Sequence, residues 1–134
     1  MEQTLIESTE IVDIIGITTN EWFELSDFEK HLKLDEYGRR GQYSIPAEEI
    51  EYIQSNLALF GRFIRESQKL VKKGRKHYSH ITILEYIRHE TTITGVEDGT
   101  DWKINNDRRA YIGRMAVNIF PAFNGLFNFR ESRK

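Results

Sequence analysis

A chain of 134 residues, 39% hydrophobic and 12% aromatic, is long enough for one domain with its own apolar core and too apolar to stay disordered. The absence of cysteine excludes a disulfide framework and a thiolate zinc site, and fits a reducing interior. The net charge of −2 conceals a segregation: residues 1–54 carry 4 basic and 13 acidic side chains, or −9, and residues 55–134 carry 15 and 8, or +7.

Taken in chain order, IVDIIGI (residues 11–17) is a β-branched run that predicts a short strand. Ser26 and Glu29 have capping-box spacing and start a helix from Asp27 to about Leu34. In DEYGRRGQYS, Gly38 and Gly41 bracket Arg39 and Arg40 and predict a loop. Its arginines pair with Asp35 and Glu36, or else meet phosphate, with the ion pairs favoured. From Pro46, the apolar positions Ile50, Ile53, Leu57, Phe60, Ile64, Leu70 and Val71 recur at helical spacing, as one helix or as two broken near Ser55 and Asn56. Lys69, Lys72 and Lys73 suit the negative end of that helix, and Gly74 suits a left-handed close.

Ser79 caps the next helix, which carries Ile81, Leu84 and Ile87 on one side. TTITGV and DWKI then flank Asp98-Gly99, the pattern of a β-hairpin. Asn105 or Asn106 caps a last helix that Pro121 stops. Ile112, Met115, Ala116 and Ile119 form its apolar stripe, while Asp107, Tyr111, Arg114 and Asn118 share another face. Phe120, Phe123, Phe127 and Phe129 in the tail are too many aromatics to leave in water and should fold back onto the core. The expected fold is one domain, mainly α with a small β-hairpin, in a winged-helix-like α+β arrangement. The hairpin falls between the two candidate helices, an unusual order for that fold.

The C-terminal 75 or so residues, with GRKHYSHITILEYIRHE, DWKINN, AYIGRM and FPAFNGLFNFR in this order, resemble a family of small uncharacterised proteins of bacteriophages and prophages. His89 and Trp102 depart from the family's Trp and Phe, and Gly113 from its Ala. The resemblance implies a phage context, hence the cytoplasm of a host cell, and no particular activity.

Two basic groups carry the functional expectation. Lys72, Lys73, Arg75 and Lys76 follow one helix, and Arg108 and Arg109 begin another, a pattern suited to neutralising phosphates. Tyr111, Arg114 and Asn118 on one helical face are placed to reach base edges, where Arg pairs with guanine and Asn with adenine. The bland alternative is a solvated face behind capping asparagines. A non-enzymatic, nucleic-acid-binding protein is therefore expected, with DNA the first choice. The acidic N-terminal part, with Trp22, Phe23, Tyr37 and Tyr43, supports an alternative: a module that binds and inhibits a host defence or replication protein. Asp101 and Lys103, with Glu85 or Glu90, offer a weaker magnesium-dependent nuclease reading. His77, His80 and His89 are better read as solvated or hydrogen-bonded histidines than as metal ligands. No cofactor is implied. No apolar run is of membrane-spanning length and the first residues lack a signal-peptide pattern, so a soluble protein without a membrane partner is expected.

Overall fold

The computed structural model describes residues 16–94 and 106–129, without side-chain detail at residues 91–94 and 106. Six α-helices follow one another: α1 (Thr19–Glu24), α2 (Asp27–Arg40), α3 (Ala47–Gln54), α4 (Leu57–Lys72), α5 (His80–Thr94) and α6 (Asn106–Ile119), then a 3-10 turn at Pro121–Phe123. Among the described residues there is no strand. Among the described residues a single isolated β-bridge joins Tyr78 and Phe127.

This corrects the expected hairpin and winged helix. Of the expected first arm TTITGV, Thr91 to Thr94 form the last turn of α5, while Gly95, Val96, Asp98-Gly99 and the second arm lie outside the described residues, as do residues 11–15 of the expected first strand. A Thr-Thr-Ile-Thr run favours a strand, but β preference yields to its surroundings, and here the helix already growing from Ser79 overrides it. The start itself follows expectation: the Ser79 hydroxyl accepts a hydrogen bond from the Thr82 amide at 3.2 Å.

Local signals set most of the helix ends. Thr18 and Glu21 form a reciprocal capping box for α1, and Ser26 and Glu29 form another for α2. The chain then breaks between α3 and α4 at Ser55 and Asn56. Lys73 ends α4, and Gly74 takes φ of +82°, a conformation that costs a residue without a Cβ little.

The expected loop at 38–41 is also corrected, because α2 runs on through Gly38 and Arg39 to Arg40. Arg40 pairs with Glu36 one turn back, at 2.8 Å, the local pairing favoured for this stretch.

The helices enclose one apolar cluster. Ile112, Met115, Ala116 and Ile119 of α6 lie at its centre, as their spacing requires, with Leu34, Ile53, Phe63, Ile64 and Ile87 around them. α6 touches α2, α3, α5 and the 3-10 turn, so little of its surface is left for solvent. The tail folds back as its aromatics demand: Phe120, Phe123 and Phe127 are buried. Trp22 belongs to the same cluster, edge-on to Phe60 at 5.5 Å and to Phe120 at 5.9 Å. It therefore joins residues from both ends of the chain and is closed to a partner. Trp22→Ala removes this shared contact, and is expected to lower unfolding free energy by about 3–5 kcal/mol in chemical denaturation.

Candidate nucleic-acid interface

The two basic groups expected to meet phosphate have different surroundings. Lys72, Lys73, Arg75 and Lys76 are all exposed around Gly74, at the turn that joins α4 to α5. Lys69, one turn earlier, is also exposed but holds Glu66 at 3.2 Å. The Arg75 guanidinium lies 5.3 Å from the centre of the Tyr78 ring. Tyr78 is itself anchored, since its amide donates to the Leu126 carbonyl at 2.9 Å. The turn is thus a cluster of charge on a fixed support.

The arginines of α6 are committed inside the molecule. Arg108 donates to both carboxylate oxygens of Glu49 on α3, at 2.7 and 3.3 Å, and stacks 4.2 Å from the centre of the Tyr52 ring. Those hydrogen bonds raise its pKa further above the ordinary arginine value. Arg109 is buried and paired with Glu85 of α5. Arg62 of α4 meets Glu90 of α5 in the same manner. Part of the charge segregation in the sequence is cancelled here, because the Arg108–Glu49 pair joins the basic part to the acidic one.

The face expected to read bases is divided. Arg114 sits among three rings, with its guanidinium 5.3 Å from Tyr111, 5.4 Å from Phe129 and 5.8 Å from Tyr43. Tyr111 is half-buried. Asn118 is buried and fully employed: its amide nitrogen donates to the Tyr37 and Tyr43 carbonyls at 2.9 and 2.8 Å, and its oxygen accepts from the Tyr43 amide at 2.9 Å. It fastens the end of α2 and the following turn to α6. Gly41 permits the approach, since a Cβ there would lie 2.2 Å from Asn118 Cγ. Adenine recognition by Asn118 is thereby closed off. A helical wheel places Asn118 on the polar side, but the C-terminal end of α2 covers that side, which no local signal announces.

His80, weighed as a metal ligand, is buried beside the rings of Phe127 and Phe129, at 6.2 and 5.0 Å. Burial, and then the charges of Arg114 and Arg109, lower its pKa from 6.5 to about 4. Glu85 and Glu90, weighed as magnesium ligands, hold Arg109 and Arg62; Asp101 and Lys103 lie outside the described residues. No group of three His, Asp or Glu side chains converges among the described residues as a metal ion would require. No described helix is long and apolar enough to cross a membrane.

Comparison with family models, curated proteins and solved structures gives no match. Sequence reasoning underused Tyr78, the ring that supports Arg75; the aromatic residue three places after the arginine was the available signal.

Two measurements probe these assignments. Asn118→Ala leaves the buried Tyr37 carbonyl and the part-buried Tyr43 amide and carbonyl without their partner, so unfolding free energy should fall by about 2–4 kcal/mol in denaturant titration. For His80, the unfolded chain takes up a proton near pH 6.5 and the folded chain only near 4. Stability should therefore be full above pH 6.5 and fall as the pH drops toward 4, by at most about 1.4 kcal/mol per pH unit for this one group. His80→Gln should flatten that part of the stability profile.

Proposed function

We propose that this is a small, non-enzymatic, phage-type nucleic-acid-binding protein that grips the phosphate backbone with the turn between α4 and α5. The observation that carries the reading is the exposure of Lys72, Lys73, Arg75 and Lys76 within five residues around Gly74. Four cations held this close repel one another. An array of phosphates relieves that repulsion and releases its own counterions. Lysine tips serve as mobile point charges, while Arg75 supplies a planar donor set braced by Tyr78.

Such a grip contacts backbone and carries no base code. Asn118 is spent in the fold and Arg114 sits among the rings of Tyr43, Tyr111 and Phe129, so two of the three residues expected to read bases are engaged within the protein. The resemblance to phage and prophage proteins supplies the context, a host cytoplasm in which nucleic acid is abundant.

Fluorescence anisotropy with a labelled duplex across a salt series tests the reading. Binding should be insensitive to sequence, and its logarithm should fall with log salt at a slope of about −3 to −4 if all four cations contact phosphate. Changing Lys72, Lys73, Arg75 and Lys76 together to Ala should abolish binding while the helical circular dichroism persists. Arg108→Ala should lower thermal stability and leave the slope alone. Absence of binding at low salt, or binding that survives the fourfold change, overturns the proposal.

A further inference from the structure

Beside the basic turn, the start of α1, the end of α4 and the 3-10 turn enclose an open cleft of about 360 Å³. Its walls are apolar: Ile17, Val71, Pro121 and Ala122 border the space, backed by Phe123. Pro121 and Ala122 are exposed there, and Ile17 and Val71 are half-buried. Two polar contacts fix the walls in place. The Ile17 amide donates to the Ile119 carbonyl at 3.0 Å, and the Gln68 side-chain amide donates to the Thr19 hydroxyl at 2.6 Å. The cleft is therefore formed before anything enters it, which lowers the entropic cost of binding.

The polar groups at the rim are few and unequal. Glu21, on the α1 side, already accepts from the Thr18 amide at 2.8 Å. Gln68 and Lys72, on the α4 side, stand one turn apart and so lie next to each other. The Gln68 amide has a second N–H beyond the one given to Thr19. Lys72 is exposed and has no carboxylate partner among the described residues. An apolar cleft whose spare donors are one ammonium and one amide N–H suits an apolar body that ends in a single negative group with two acceptor oxygens. We propose that the cleft binds a small monocarboxylate with an apolar chain. Lys72 and Gln68 hold its carboxylate, and the chain lies between Val71 and Ala122 against Phe123.

Size and charge narrow the class. The volume is near the lower end of the roughly 300–1,000 Å³ found for ligand sites, which gives room for one short chain and none for a two-chain lipid. Glu21 across the mouth repels a second negative charge, which disfavours a dianion such as a phosphate monoester. The carbonyls that end α4 also repel an anion, so the attraction rests on Lys72. Lys72 is one of the four cations proposed to meet phosphate, and ligand and nucleic acid therefore compete for it. The cleft itself is present whether or not nucleic acid binds.

Titration with sodium octanoate in the absence of nucleic acid, followed by backbone amide chemical shifts, tests the proposal. Octanoate should shift the amides of Ile17, Val71 and Ala122 and reach saturation, while acetate, with the same head group and no chain, should leave them unmoved. Octylammonium should bind at least about tenfold more weakly than octanoate. Lys72→Met should weaken octanoate at least about tenfold and leave octanol unchanged, a split that a general loss of structure would not produce. Ala122→Trp fills the cleft and should abolish the binding of both, with circular dichroism to verify folding. No saturable shift with octanoate, an equal response to octylammonium, or binding indifferent to Lys72→Met or to Ala122→Trp would each overturn the proposal. Cleft amides that shift with protein concentration while octanoate leaves them still would assign the cleft to a second copy, and would overturn it too. None of these outcomes depends on nucleic-acid binding.

Discussion

The side chain of Asn118 is the constraint on which the surrounding structure depends. A carboxamide has two donors and an acceptor of matching reach, and here all are spent on backbone groups of Tyr37 and Tyr43. Without it, the turn after α2 would have buried backbone groups to satisfy and nothing on α6 to satisfy them. With it, α2 is fixed against α6, and Tyr43 is brought beside Phe129, edge-on at 5.3 Å. The same contact positions the aromatic group around Arg114. A single polar residue in an apolar interface thus specifies where two helices meet, while the apolar residues around it supply the energy.

Charge is distributed by a related logic. Several arginines and glutamates bind helices together: Arg108 to Glu49 across α6 and α3, Arg109 to Glu85 across α6 and α5, and Arg62 to Glu90 across α5 and α4. Most of the lysines near residue 74 face solvent instead. The division follows the side chains, since a guanidinium tolerates partial burial and bidentate pairing better than an ammonium. Among the described residues, the lysines of the C-terminal part are therefore concentrated at and just before one turn.

Much of the helix content was legible because caps and apolar spacing are local. The Ser26–Glu29 box, the Gly74 close, the Ser79 cap and the Ile112 to Ile119 stripe all carry their structural meaning within a few residues. Helix α1 was equally legible in the spacing of Thr18 and Glu21, and its shortness hid it. The failures have a different origin. Gly38 reads as a turn residue, yet it lies inside α2, where Ile50 packs within 2.5 Å of the place a Cβ would take and so favours a residue without one. Thr91 to Thr94 read as a strand, yet they extend a helix started twelve residues earlier. The candidate site was legible at Lys72 to Lys76, where exposure follows from the helix end. It was illegible at Arg108, Arg109 and Asn118, whose partners are distant in sequence.

The Asn118 contacts also imply an order of events in folding. Their partners are 75 and 81 residues away along the chain, whereas the capping boxes close over three. Local turns form before the entropy of so large a loop has been met, and distant pairs form only once helices have already docked. The amide therefore acts as a late checkpoint: an apolar collapse with α2 in the wrong place would satisfy the hydrophobic surfaces and still leave this amide stranded.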